Sequence, residues 1–437
     1  MRGDPNPEAF AREHLRHNVL ALGADFSLFM IGLSFASSTT VLPAFAVYLG
    51  APNVVLGAIP AVMTTGWFLP SLFAAEHTES LSRRLPFILR YTLWERVPFL
   101  VMGVVAFTIS DRAPALALAV VLLSLIAMST TGGILMPAWM DVIGRTIPTE
   151  LRGRFFALSS MVSAVGGLAG SFATARILDS LRAPGSYGVC FMISAAFMAA
   201  SWIALALVRE PEVVLTAPPR RLGDYLRSMP RLLRSDRNLS WFLAARAFSM
   251  LGTMAGGFFT AYALRIHAAP AHWVGIFTAM LFAGQLAATF GLGSLADRVG
   301  HRAVIVVGVG AMALANGMAL GAPGLPAFSI LFAFVGLAQT AATISNMNVL
   351  LEFAPTPEER PTYVGLGNTF IAPLAFGAPI AAGLLADAWG FEVVFLTAIT
   401  CGVTGFVLML ARVRDPRHVS RLAGPVDERH EPASAVR

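Results

Sequence analysis

Ionisable side chains are scarce in the apolar stretches of this chain, and the few that occur there are the first clue to its chemistry. Asp25, Glu95, Arg96 and Arg246 each stand inside a long hydrophobic run. A charge at bilayer depth costs about 2.5–3.5 kcal/mol on the insertion scale, so a group kept there is a candidate for work on a proton or a charged solute. Two roles are open to Asp25 and Glu95: a proton carrier that loads and unloads in a partly dry cavity, or one half of an ion pair that locks helices together. Glu95 and Arg96 are neighbours in sequence and do not face each other on a helix, so at least one needs a partner elsewhere. A pair between Asp25 and Arg246 is one such arrangement. Among uncharged residues, "GLAQTAATISNMNVLLE" brings Gln339, Thr343 and Asn346 near one helical face, and Ser38 and Gln285 lie in other apolar runs. Cys190 and Cys401 give neither a disulfide framework nor a metal-ligand spacing. No nucleophile-and-base or metal-ligand constellation falls in the apolar runs, so neither an enzyme nor a cofactor or metal is expected.

The elements that carry these residues follow from composition. The chain has 437 residues, 56% hydrophobic and only 13% charged, far too little polar surface to cover a water-soluble core. Apolar segments fall at 19–49, 53–75, 85–110, 114–142, 154–178, 186–208, 239–264, 273–292, 303–321, 326–351, 362–386 and 391–413. Each is near the ~20 residues that cross about 30 Å of hydrocarbon. They are too long and too continuously apolar for barrel strands, which predicts an all-α membrane protein with twelve transmembrane helices.

All 31 basic residues are Arg. If the first tail is cytoplasmic, inner loops and tails hold 24 of them, outer loops four (Arg112, Arg176, Arg182 and Arg265) and the spans three. That bias predicts both termini in the cytoplasm. The pI near 10 belongs to this membrane asymmetry, so no nucleic-acid partner is expected. The start, "MRGDPNPEAFAREHLRHN", has no short apolar core followed by a cleavage site, so no removable signal is expected. The long connection divides the spans six and six. It contains "RRLGDYLRSMPRLLRSDRN", expected to lie on the lipid surface as an amphipathic helix. The expected organisation is 1–208, an N-terminal six-helix unit with its tail; 209–238, the central loop; 239–413, a second six-helix unit; and 414–437, a C-terminal tail.

The halves repeat. An offset of 218 carries Pro52 to Pro270, Gly57 to Gly275, Gly66 to Gly284, Glu79 to Asp297 and Arg84 to Arg302; an offset of 208 carries Arg152 to Arg360 and Asp179 to Asp387. Together with "GSLADRVGHR" (293–302) between spans 8 and 9, this resembles the major facilitator superfamily of secondary transporters, whose inner loop reads Gly-x-Leu-Ala-Asp-Arg-x-Gly-Arg-Arg. The first-half copy, "AEHTESLSRR", keeps Glu79, Arg83 and Arg84 but lacks the glycines.

The resemblance implies two pseudo-symmetric six-helix bundles, a substrate cavity between them lined by spans 1, 7 and 10, and latches at the cytoplasmic rim. Asp297 is placed to accept from a neighbouring helix N-terminus, with Arg298 and Arg302 holding an acid, Gly293 giving close helix approach and Gly300 a sharp turn. Asp141 would latch to Arg152, with Arg360 as its second-half counterpart. Ser38, Gln285, Gln339, Thr343 and Asn346 would then be cavity residues. The expected function is transport of a small organic solute across the bacterial inner membrane by a monomer, export ahead of uptake, coupled to protons through Asp25 and Glu95. A sensor or lipid-handling protein on the same fold is the alternative. With no Lys in the chain, no phosphate-binding loop of the ATPase kind is available.

Overall fold

The computed structural model describes residues 7–79, 81–212, 236–354 and 360–415. The side chains of Glu79 and Arg360, and the amphipathic helix expected within 213–235, lie outside the described residues. A short helix, Pro7–Glu13, leads into span 1, which is split into Leu15–Phe35 and Val41–Tyr48. Spans 2 to 6 are Asn53–Glu79, the pair Leu85–Tyr91 and Leu93–Thr108, Pro114–Thr146, Thr149–Ser180 and Gly185–Ala206. Span 7 comprises Arg237–Gly252, a 3-10 turn Met254–Gly257 and Phe259–Arg265. Spans 8 to 12 are Trp273–Val299, His301–Gly321, Leu325–Phe353, Arg360–Trp389 and Phe391–Ala411. Eleven of the described spans are long and apolar enough to cross a membrane; span 3 falls short because it is interrupted at Thr92. Large apolar side chains such as Leu123, Phe172 and Leu314 are 58–64% exposed, a liability in water but a fit for a lipid solvent.

The breaks in spans 1 and 7 match. The offset of 218 carries Ala36, where span 1 stops, onto Met254, where span 7 tightens to a 3-10 turn. In span 1 the cause is "SSTT" at 37–40, whose hydroxyls compete for backbone hydrogen bonds. In span 7 it is Gly252, Gly256 and Gly257, whose weak helix propensity costs about 1 kcal/mol each. The outer pieces of the two spans pack on one another, so the interruptions lie where the bundles meet.

The bundles join through spans 2 and 11 and through spans 5 and 8. Gly57 and Gly275, a pair related by the repeat, make the tightest of these joints. A Cβ on Gly57 would lie 2.0 Å from the Pro379 carbonyl oxygen, and one on Gly275 would lie 2.3 Å from the Ala175 nitrogen. Only a residue without a side chain permits such backbone approach.

Each bundle is also closed on itself by the same device. Asn18, at the start of span 1, donates to the Arg209 carbonyl at 3.0 Å and accepts from its N–H at 2.9 Å. Asn238, near the start of span 7, makes the same two bonds with Arg414 at 2.9 and 2.8 Å. One amide side chain thus ties the first span of each sextet to the end of its last.

Candidate functional site

The first cluster lies inside the N-terminal bundle. Arg96 Nη2 donates to Asp25 Oδ1 at 2.9 Å, the Ser201 hydroxyl donates to the same oxygen at 2.6 Å, and Trp139 Nε1 donates to Oδ2 at 3.1 Å. Glu95 accepts from the Thr92 hydroxyl at 2.9 Å and, more weakly, from Arg96 Nη1 at 3.4 Å. The guanidinium also rests 5.4 Å from the Phe29 ring centre. The interruption of span 3 at Thr92 puts that hydroxyl within reach of Glu95, one turn on. Both carboxylates and Arg96 are at most 7% exposed, so two buried acids share one buried base. A cavity of about 110 Å³, lined also by Phe26, Trp67 and Met136, adjoins them.

The pair expected between Asp25 and Arg246 is not formed. Asp25 is taken by Arg96 within its own bundle, and Arg246 projects from span 7 into a separate cavity of about 180 Å³. That cavity lies between span 2 of the first bundle, through Thr64, Thr65 and Phe68, and spans 7, 9, 10, 11 and 12 of the second. Asn346 and Asn368 supply amides to its wall. The other expected cavity residues distribute differently. Gln285 donates to Gln339 at 3.0 Å, linking spans 8 and 10, and the Thr343 hydroxyl bonds its own helix at the Gln339 carbonyl. Ser38 lies within the interruption of span 1. Thr65 and Asn368 were not singled out by the sequence; a lone Thr or Asn in an apolar run carries no periodic signal.

The two ends of the molecule differ. On the face away from the termini, polar contacts cross between bundles. Asp387 accepts from the Asn53 and Val54 N–H groups, both at 3.1 Å, capping span 2 from the opposite bundle. Arg265 donates to Asn53 Oδ1 at 2.6 Å and to the Ala51 carbonyl. His272 and Asp179 approach to 3.2 Å, and the Thr40 and Thr278 hydroxyls to 2.6 Å. Asp179 and Asp387 are the pair related by the offset of 208.

On the face that carries the termini, the described polar contacts join residues of the same bundle. Asp141 is gripped by Arg84 at 2.8 Å and Arg145 at 2.7 Å rather than by Arg152. Arg145, one turn after Asp141 on the same helix, reaches it first, while Arg152 donates to the Gly144 and Ile147 carbonyls. Arg83 donates to the Glu210 carbonyl at 3.5 Å. Asp297 and Arg298 are exposed, and Asp297 does not cap a helix. The turn into span 9, where Gly300 takes φ of 105°, is faced instead by Asp415, whose carboxylate oxygen lies 2.7 Å from the point a Cβ on Gly300 would occupy. Arg302 donates to the Met409 and Leu410 carbonyls at 2.8 and 3.0 Å, the end of span 12, where the helix dipole favours a cation. Gly293 has open space around it and makes no close helix approach.

Glu210 does for span 3 what was expected of Asp297. Its carboxylate accepts from the Arg84 and Leu85 N–H groups, each at 2.8 Å. The signal for it was present in the sequence: "VREP" at 208–211 after span 6 and "VRDP" at 413–416 after span 12. The Arg of each supplies the backbone for the asparagine clamp, and the acid that follows meets the turn into span 3 or span 9.

Residues 247–437 match the family model of the Major Facilitator Superfamily. Among solved structures, the chain is similar to a point mutant of the nucleoside transporter NupG, with a TM-score of 0.70 at 14% identity over 91% of this chain and 100% of that one. It is also similar to a D-xylose-proton symporter (TM-score 0.62, 15% identity, 92% of this chain and 97% of that one). A third is a bacterial homologue of the human lysosomal transporter Spinster, solved inward-facing and unoccupied (TM-score 0.60, 13% identity, 96% and 98%). No curated protein matches the chain by sequence.

Proposed function

We propose that this chain, which has the major facilitator fold throughout and matches that superfamily's model over residues 247–437, is a proton-coupled secondary transporter moving a small organic solute by alternating access. The observation that carries the reading is the contrast between the two faces. Asp387, Arg265, His272 and Thr278 bind the bundles together at one end, while among the described residues the contacts at the other end stay within each bundle. With both termini in the cytoplasm of a bacterium, as the Arg distribution favours, this is the inward-open state of a carrier.

Coupling is supported by the charge count at Asp25, Glu95 and Arg96. One guanidinium balances one carboxylate, and the second buried carboxylate needs a further positive charge. A proton on Glu95 supplies it, because Glu95 holds Arg96 less closely, at 3.4 Å against 2.9 Å for Asp25. Losing that proton sets the two acids in competition for Arg96, in a cluster whose Asp25 ties spans 1, 3, 4 and 6. The xylose-proton symporter among the similar structures is consistent with such coupling on this fold.

The test is a distance measurement. Spin labels at Glu150 and Arg298, both exposed on the face of the termini, would report its opening in the full chain with Cys190→Ala and Cys401→Ala, reconstituted in lipid. Two distance populations are expected, with a ratio that changes between mildly acid and mildly alkaline buffer. A single distance under all conditions would refute alternating access. A pH response that survives in both Glu95→Gln and Asp25→Asn would remove the proton from the mechanism.

A further inference from the structure

Among the described residues, Arg246 is the one charged side chain that lines the cavity between span 2 and the C-terminal bundle, and its surroundings there do not neutralise it. It lies nine residues beyond Arg237, about 13 Å along the helix at 1.5 Å per residue, which is close to mid-membrane. Its Nη1 is sealed from solvent, and among the described residues it makes no hydrogen bond and no carboxylate lines the cavity. This contrasts with Arg96, which has Asp25, Glu95 and Ser201 around it. Across the cavity, on the other bundle, Thr65 Oγ1 is also buried and unpartnered. A cation held in an apolar wall without a counter-ion is costly unless a ligand supplies one.

We infer that this cavity is the substrate site and that it takes a small organic anion carrying a single carboxylate on an apolar body, held by Arg246 and by the Thr65 hydroxyl. The chemistry of the wall fixes each part. The guanidinium fork matches a carboxylate in two parallel bonds. Asn346 and Asn368 add neutral donors, while Phe68, Met250 and Met312 supply the apolar contact. A single Arg suits one charge; a phosphate ester, with two, would leave one unmatched. The volume, about 180 Å³, exceeds the ~150 Å³ of a cavity that accepts benzene. Because Arg246 and Thr65 belong to different bundles, an anion between them bridges the two halves, and its arrival or departure alters how they sit.

This inference rests on the transporter reading, and its test does not depend on flux. The purified full-length protein would be heated in detergent with a series of monocarboxylates from acetate to octanoate, with benzoate, and with the corresponding neutral amides, against a chloride control. Ligand that binds the folded state raises the unfolding temperature. Benzoate or a mid-length carboxylate is expected to protect while its amide does not. Arg246→Gln should weaken that protection by roughly tenfold to a hundredfold in ligand concentration, with Thr65→Val giving a smaller loss. Arg246→Lys, which keeps the charge but not the fork, should fall between. Equal protection by acid and amide, equal protection by chloride, no protection by any carboxylate, or protection undiminished in Arg246→Gln would each overturn the assignment. The spin-label distances at Glu150 and Arg298 would still alternate in all of these cases if the transporter reading is right.

Discussion

Asp387 is the place where removing one side chain should change which face of the protein is open. Its two carboxylate oxygens take the first two N–H groups of span 2, both at 3.1 Å, from the far side of the bundle interface. Replacing a capping acid by Ala costs a helix about 0.5–2 kcal/mol. Asp387 is exposed and its bond to Val54 is solvent-accessible, so the Coulombic part is screened and the lower half of that range applies. Here the loss is charged only to the conformation in which the two bundles touch at that end. About 1 kcal/mol therefore becomes a roughly fivefold shift in the ratio of the two states. The labels at Glu150 and Arg298 would read it directly: the short-distance population, with the terminal face closed, should grow about fivefold in Asp387→Ala. Asp387→Asn, whose single amide oxygen can accept from only one of the two N–H groups, should shift the ratio by less than the Ala variant does. If Asp387→Ala leaves the ratio unchanged, or if the Asn variant shifts it as far as the Ala variant does, cross-bundle capping is not what holds this face shut.

Gly57→Ala should push the same ratio further, since its methyl would sit 2.0 Å from the Pro379 carbonyl oxygen and the outer joint could not form; Gly377→Ala, with nothing within 4 Å, is the matched control by the same label distances. Asp25→Ala leaves a buried guanidinium with only the Ser201 hydroxyl and a weakly held Glu95 and should cost about 3 kcal/mol, seen as a lowered unfolding temperature in detergent, whereas Glu95→Gln keeps an acceptor for Thr92 and should cost far less. Asn18→Ala removes two part-buried bonds made by a fully buried side chain and should cost about 2 kcal/mol; Asn238→Ala, whose bonds are exposed, should cost less, and hydrogen exchange at the ends of spans 6 and 12 would show the difference.

The spans were legible because crossing lipid demands about 20 apolar residues, a constraint written directly into composition. Even so, span 3 reads as one apolar run in sequence and as two helices in space, since nothing in "RYTLWE" announces the interruption at Thr92. The repeat was legible too. Its Gly57 and Gly275 and its Asp179 and Asp387 proved to mark where bundles join, while Gly66 and Gly284 pack inside their own bundles, a distinction an offset alone does not make. Pairings were harder to read. Sequence marks that Asp25, Arg96 and Arg246 must be satisfied, but the choice of Arg96 over Arg246 is made by how spans 1, 3 and 6 pack around Ser201. In the same way Arg145 outcompetes Arg152 for Asp141 through helix geometry that a loop motif does not encode. The acid that faces a helix start on the terminal side came from "VREP" and "VRDP" rather than from "GSLADRVGHR", whose Asp297 is exposed in this conformation.

The matched interruptions in spans 1 and 7 bear on how a solute can be enclosed. Val41–Tyr48 and Phe259–Arg265 are short pieces joined to their longer partners by residues 36–40 and by a 3-10 turn, not by continuous α-helical hydrogen bonding. Both pieces are largely buried and packed on each other here, so they would act as small flaps only where that contact parts and the chain bends at the breaks. A carrier with two flaps of this kind can shut its cargo in from both sides before either end lets go, so leakage of ions through a momentarily open channel is avoided by local bending rather than by perfect timing of the large movement.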